Sequence, residues 1–410
     1  MSDAADPGPW PPRWPAAVLP YGVVRTPAGE VVPATALDGD AVDLRALAGA
    51  GLLDGALLDP RATFAPPTLD RLLAAGRDAW DGLRTRLQEL AATPARLAPF
   101  RIALTEVRPQ LAWAVADYVD FYSSRDHATH VGRIFRPDDA SLPPAWDHVP
   151  IGYHGRAGTV VVSGTDVVRP RGLHTAADGT VVDGPEPHLD VEVELGWVVG
   201  VPSAPGRRAA TDVFADHVLG AVVVNDWSAR GLQAFEYRPL GPFQAKAFAT
   251  SVSPWIVPLA ALDAARVAPP TPPIPPASHL APAGDGYDVH LSLGLQPADG
   301  PTTVLTRPRA AGLRWTPAQQ LAHLTSSGAT LRTGDLYASG TISGPTPDAV
   351  GCLLERSWGW REPVPLDDGG DRRDGLVDGD TVTIRAAFPG TDGGLLPLGE
   401  VTGRVVPASG

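Results

Sequence analysis

Apolar and polar residues alternate over short stretches of this chain, and turn residues interrupt them so often that most of the pattern reads as strand. Residues 22–50, GVVRTPAGEVVPATALDGDAVDLRALAGA, carry short apolar runs divided by PAG and DGD, which predicts the strands of a small β-rich module. Over residues 68–91, Leu69, Leu72, Leu73, Trp80, Leu83, Leu87 and Leu90 recur at helical spacing, predicting one or two amphipathic helices broken near Gly76. LAWAVADYVDFYSS predicts a further short helix, followed by turn-rich sequence to Pro150. TVVVSGTDVV and HLDVEVELGWVVG then read as strands, and LGAVVVNDWSAR as a buried strand ending at Asn225 and Asp226. Proline lacks the ladder donor, so APPTPPIPPAS (residues 268–278) is a surface loop or edge connection. DVHLSLGL alternates again. TPAQQLAHLTSS has the marks of a helix start, with Thr316 as N-cap, Pro317 in first position and Gln319 at the third. LRTGDLYASGTISGPTP reads as loop and short strand, and TVTIRAAF as a late strand. The first twenty residues, rich in proline and tryptophan, read as an irregular arm, and a domain boundary is expected near residue 115.

Composition narrows the function classes. With 410 residues, 44% of them hydrophobic, the chain is long enough for two domains, and 44 glycines with 45 prolines favour turns and sheet. A formal charge of −13 with no basic segment argues against nucleic-acid partners. MSDAADPGPWPPRW lacks the basic and apolar regions of a secretion signal, and no apolar run approaches a membrane span, so a cytoplasmic protein with no membrane partner is expected. Cys352 is the sole cysteine, which excludes an internal disulfide and leaves a metal only oxygen or imidazole ligands. PIGYHGR and ASGTISG match neither a dinucleotide fingerprint nor a P-loop, and no GxSxG elbow is present, so activated water is the natural nucleophile of any hydrolytic reaction.

The candidate chemistry centres on HLDVEVELG. On a strand, Asp190, Glu192 and Glu194 project from one face and Val191, Val193 and Leu195 from the other. Two readings are open: the acidic face meets water, or it holds a hard cation such as Mg²⁺ or Ca²⁺ together with further carboxylates. Asp120, in YVDFYSSRDH, and Asp226 are the candidates for those further carboxylates, although either alone reads as a cap or salt-bridge partner. His127 and His130 lack a zinc ligand set; His127 reads either as a structural histidine or as a general base near neutral pH. Lys246, in GPFQAKAFATS, is the only lysine beside 32 arginines.

DFYSSRDHATHVGRIFRP, IGYHGRAGTVVVSGT, LDVEVELGWVVG, VVVNDWSARGLQAFEYRPLGPFQAKAFATSVSPW and GDLYASGTISG together closely resemble the fumarylacetoacetase family, and LPYGVV and TPAQQLAHLTSSGATLRTGD extend the resemblance over most of the chain. The resemblance implies a mainly β fold with some α: a small N-terminal SH3-like β-barrel over residues 1–115, then a larger mixed β-roll catalytic domain over residues 116–410. It implies a homodimer that uses Mg²⁺ or Ca²⁺ to hydrolyse the carbon–carbon bond of 4-fumarylacetoacetate to fumarate and acetoacetate, the last step of tyrosine and phenylalanine breakdown. By position, the implied metal ligands are Asp120, Glu192, Glu194 and Asp226, with Lys246 and Thr250 completing the region, and only the resemblance sets Asp190 aside. His127 is the implied catalytic base and Glu355 the residue that orients it, while Arg230, Gln233 and Lys246 stabilise the oxyanion. Tyr122, Arg136, Tyr153, Tyr237 and Thr341 join Arg230 and Gln233 as the implied contacts to the diketo-acid substrate. His130 stands where the family usually has asparagine, and Arg356 follows Glu355 where an apolar residue is usual; on a strand Arg356 would face away from Glu355. Relatives acting on other acylpyruvates, oxaloacetate or β-diketones generally lack the N-terminal module and the long DFYSSRxHA string. A silent scaffold would not be expected to retain the metal, base and oxyanion groups together.

Overall fold

The strands expected in the N-terminal module form as Tyr21–Arg25, Val31–Leu37 and Asp40–Asp43, and pair antiparallel in chain order. A computed structural model describes residues 12–138, 142–367 and 372–409; the start of the expected N-terminal arm, residues 1–11, lies outside them. The two expected amphipathic helices are Asp70–Ala74 and Arg77–Ala91. Gly76 divides them at a φ of +86°, a backbone conformation that side-chain-bearing residues rarely adopt. Their leucines and Trp80 pack with the strand residues Val198, Val222 and Leu336 in one continuous core.

LAWAVADYVDFYSS does not form the expected helix. Tyr118–Phe121 is a buried strand, parallel to Leu336–Ala338, and the helix of this region begins only at Arg125 and runs to Phe135. Long-range pairing takes up Tyr118–Phe121, residues 111–117 before it being neither helix nor strand, while Ser124 sets the helix start by accepting a hydrogen bond from the His127 N–H. The Thr316 cap is present as expected: Pro317–Leu324 is a helix with a reciprocal Thr316–Gln319 capping box. The proline-rich run at 268–278 contains no strand.

The fold is mixed α/β and dominated by sheets. Its 13-stranded sheet runs from the N-terminal strands through Tyr21–Arg25, Trp255–Pro258, Val218–Asp226, Val193–Val199, Leu336–Ala338 and Tyr118–Phe121 to Gly152–His154. The N-terminal strands therefore continue the large sheet, and no closed barrel is found among the described residues. A five-stranded sheet built on His290–Gln296, Thr381–Pro389 and Leu395–Val406 packs over the opposite face, where Leu195, Val223, Leu293 and Ile384 share a core.

Register decides where the polar groups go. Asp120 pairs with Ala338 and Tyr153, Ala338 pairs with Gly196, Val224 pairs with Glu194, and Asp226 pairs with Thr250. Paired residues share a face and the side-chain period is two, so Asp120, Tyr153, Glu194, Asp226 and Thr250 all emerge on one side. That is the side which, further along the same strands, is covered by the N-terminal helices. Gly196 leaves room there, because a Cβ at this position would lie 2.7 Å from Val224 and 3.0 Å from Leu336.

Candidate active site

HLDVEVELG is not one uninterrupted strand: Leu189–Asp190 and Val193–Val199 are separate, and the chain between them bends around Asn225, whose side chain accepts the Glu192 N–H. The reading in which the acidic side meets water fails, since Asp190, Glu192 and Glu194 are only 0, 4 and 0% exposed. The bend separates their roles. Asp190 accepts the Arg230 Nε–H at 2.8 Å and the backbone N–H groups of Leu353 and Leu354, and so ties the Arg230–Glu236 helix to the short Leu353–Arg356 helix. Glu192 and Glu194 turn instead toward Asp120 and Asp226, and these four buried residues each place a carboxylate oxygen within 4.8 Å of the others.

Lys246 reaches into this cluster. Its ammonium donates to Glu192 and, at 2.8 Å, to Asp226 Oδ2. The Thr250 hydroxyl donates to Asp226 Oδ1 at 2.9 Å and the Tyr153 hydroxyl to Oδ2 at 2.7 Å, while Arg230 Nη2 holds the remaining Glu192 oxygen at 2.8 Å. Burial pushes the Glu192 carboxyl up, but the adjacent Lys246 and Arg230 outweigh it and hold the group down to about 2. Asp120 and Glu194 are left on the other side of the balance. Burial first, then repulsion from Asp226 and the neighbouring carboxylates, drives both well above the usual carboxylate range.

With Asp190 included, five carboxylates face two cations. Two unit charges at this spacing repel by roughly 3 to 4 kcal/mol at an effective dielectric constant near 20, so the cluster favours a further positive charge. Both Glu194 oxygens and Asp120 Oδ1 are buried with no hydrogen-bond partner. These orphaned, hard oxygens, together with those of Glu192 and Asp226, form a donor set that could hold a metal ion.

Beside the cluster, the Arg125–Phe135 helix delivers His127, whose Nδ1 lies 2.6 Å from Glu355 Oε2. Glu355 sits on the Leu353–Arg356 helix and not on a strand, so the expectation that Arg356 faces oppositely to it does not apply; consecutive helical residues diverge by about 100°. Its carboxylate takes bonds from His127, His130, Ser343 and the Cys352 thiol, and none from Arg356. Burial opposes its ionisation, yet the nearby His127 and the hydrogen bonds from His127, His130 and Ser343 hold the Glu355 carboxyl well below the usual range. With Nδ1–H donated to this carboxylate, Nε2 is the ring nitrogen left with a lone pair.

A cavity of about 430 Å³ opens over these groups. Asp120, Tyr122, His127, Arg136, Tyr153, Glu192, Arg230, Gln233, Tyr237, Lys246 and Thr341 line it. Glu194, Asp226, Thr250 and Glu355 stand behind that lining. Tyr122 sets its ring edge-on to His127, with centroids 5.4 Å apart, and the Arg230 helix brings Arg230, Gln233 and Tyr237 to one wall. Gly340 permits the close passage of the segment carrying Thr341, since its φ is +76° and a Cβ would lie 2.0 Å from the Phe121 carbonyl oxygen. The Thr341 hydroxyl itself is buried with no partner.

Several supporting residues stand outside any pattern in the sequence. Ser343 and Cys352 fix Glu355, and Glu186 caps the Arg230 helix by accepting the Gly231 and Leu232 N–H groups at 2.8 and 3.0 Å. None has a local signal. Cys352 and Glu355 lie three residues apart, but only the helical turn makes that spacing a contact.

The chain matches the family model described as fumarylacetoacetate hydrolase C-terminal over residues 117–406, and the model described as fumarylacetoacetase N-terminal over residues 17–119. It is 39% identical to the fumarylacetoacetase of Arabidopsis thaliana over 408 residues, covering 97% of this chain and 96% of that protein. With the fumarylacetoacetase of Homo sapiens the identity is also 39%, covering 95% of each chain. Among solved structures, a fumarylacetoacetate hydrolase from Exiguobacterium antarcticum shares the fold at a TM-score of 0.55 and 16% identity, covering 95% of this chain and all of that one. A maleylpyruvate hydrolase from Sphingobium matches at 0.52 and 18%, again covering 95% of this chain and all of that one.

Proposed function

Because the chain belongs to the fumarylacetoacetase family, we propose that it hydrolyses the carbon–carbon bond of 4-fumarylacetoacetate, giving fumarate and acetoacetate in tyrosine and phenylalanine breakdown. The observation that carries this reading is the adjacency, around one cavity, of a buried carboxylate cluster with orphaned oxygens and a histidine oriented by a carboxylate.

In this reading, Asp120, Glu192, Glu194 and Asp226 hold Mg²⁺ or Ca²⁺, with Lys246 and Thr250 bracing Asp226. The bound cation supplies Lewis-acid polarisation of the diketone oxygens. His127 Nε2 removes a proton from water, Glu355 stabilises the imidazolium that results, and the hydroxide attacks the substrate carbonyl. Arg230, Gln233 and Lys246 face the negative charge that develops on oxygen, in a site shielded from solvent where such donors count for most. The bond then breaks to release an enolate, which is protonated to acetoacetate, most simply by His127. Arg136, Tyr122, Tyr153, Tyr237 and Thr341 position a substrate that carries a carboxylate at each end, so a chain of net charge −13 binds a dianion through a local pocket.

The same reading makes residues 1–115 an SH3-like module whose strands open onto the large sheet, and residues 116–410 a β-roll catalytic domain. It also makes the protein a cytoplasmic homodimer. Exposed Leu173, Val181, Phe235 and Phe243 support an apolar contact with a second copy, and no helix among the described residues is long and apolar enough to cross a membrane.

The direct test follows loss of the conjugated diketone absorbance when fumarylacetoacetate is added, first with EDTA and then with Mg²⁺ or Ca²⁺ restored. Turnover is expected only with the cation, and no turnover by folded, metal-loaded protein overturns the proposal.

A further inference from the structure

Glu355 serves two histidines. His127 Nδ1 meets Oε2 at 2.6 Å and His130 Nδ1 meets Oε1 at 2.8 Å. The two imidazoles leave the same face of the Arg125–Phe135 helix because they lie three residues apart. The Glu355 side chain is 0% exposed, so no solvent competes for either oxygen. Ser343 and Cys352 both donate to Oε2, which leaves His130 as the sole partner of Oε1 among the described residues. His130 does not line the cavity; its ring is 14% exposed and stands edge-on to Trp358, with centroids 6.1 Å apart.

We infer that His130 is a positioning residue for His127. Without His130, Oε1 would be a buried oxygen with no partner, and a turn about the terminal bond to satisfy it would draw Oε2 off His127 against the hold of Ser343 and Cys352. His130 pins the second oxygen, keeps Oε2 on the His127 Nδ1–H, and so keeps Nε2 as the unprotonated nitrogen. The inference rests on His127 being the base, as proposed above, but it assigns a group outside the cavity wall.

The test compares His130→Leu, which removes the donor, with His130→Asn, whose amide nitrogen is as many bonds from Cα as the imidazole Nδ1. His130→Leu is expected to lower kcat about 10-fold, equivalent to roughly 1.4 kcal/mol, with KM within about 2-fold. His130→Asn should recover kcat to within about 3-fold of wild type. The downfield proton signal of the His127–Glu355 bond, read by NMR, should weaken or shift in the leucine variant and return in the asparagine variant. His130→Ala replaces the leucine variant if the latter does not fold. Wild-type kcat in the leucine or alanine variant, or equal loss in the removal and asparagine variants, overturns the inference. Inactivity of the wild-type protein would instead overturn the proposed reaction, and the NMR comparison would then decide the role of His130 by itself.

Discussion

Replacing Lys246 by arginine keeps a positive charge in the carboxylate cluster and changes only its shape. Burial opposes the ammonium, but Asp226 and Glu192 overcome that and raise its pKa above the ordinary lysine range, so both residues are cationic at any working pH. What differs is fit. The lysine side chain is 4% exposed, its ammonium lies between Glu192 and Asp226 Oδ2, and the other Glu192 oxygen already receives Arg230. A guanidinium is longer, planar and needs in-plane acceptors for several N–H groups. Forcing extra atoms into a closed site costs about 1 to 3 kcal/mol. A loss of at least about 10-fold in turnover, roughly 1.4 kcal/mol, is therefore expected for Lys246→Arg. Deleting the charge with Lys246→Met should weaken folding further, by about 3 to 5 kcal/mol, because two buried carboxylates lose their shared partner. The assay is substrate absorbance at saturating Mg²⁺ or Ca²⁺, with thermal melts and cation titration on the same preparations. Turnover of Lys246→Arg within about 2-fold of wild type, with unchanged cation affinity, refutes the reasoning and leaves the lone lysine as a compositional remnant.

His127→Ala should reduce turnover at least about 100-fold, the scale of losing a general base, while cation affinity measured by titration stays unchanged. Glu194→Gln separates repulsion from ligation. The Glu194 carboxyl is raised in the fold from an ordinary value of 4.5, so its ionisation destabilises the chelated protein progressively as pH climbs above that value. In EDTA the glutamine variant should melt higher than wild type by a margin that grows with pH; with Mg²⁺ or Ca²⁺ the order should reverse. A margin that stays flat across pH would show that Glu194 is not under this strain. Glu355→Gln has the opposite sign in acid. Because the Glu355 carboxyl is held low, its contribution to stability is present above about pH 4.5 and is lost as pH falls toward its folded value, so wild type should lose melting temperature faster than the variant on acidification.

Much of the local structure was legible in the chain. Gly76 divided two helices, Thr316 capped a third, and the apolar run at Val218–Asp226 became a buried strand ending at the predicted acid. These signals are local, carried by capping groups, backbone conformation and short periods. The same kind of signal failed at LAWAVADYVDFYSS, where apolar residues suit either period and the parallel pairing with Leu336–Ala338 favours the strand. It failed again at Glu355, whose helical turn brings Cys352 against it and removes the two-faced argument for Arg356.

For the site, alternation made Asp190, Glu192 and Glu194 equally eligible, and only a family resemblance distinguished them from one another. Tertiary structure supplies the physical reason. The strand breaks after Asp190, and that residue is consumed by Arg230 and two backbone donors, while Glu192 and Glu194 meet acids delivered by two other strands. Sequence by itself determined which residue types could bind a cation, orient a base or carry a compact positive charge, because those are properties of side chains. Their convergence was decided by sheet register between distant strands, since a carboxylate becomes a ligand only when long-range hydrogen bonding places it within reach of the others.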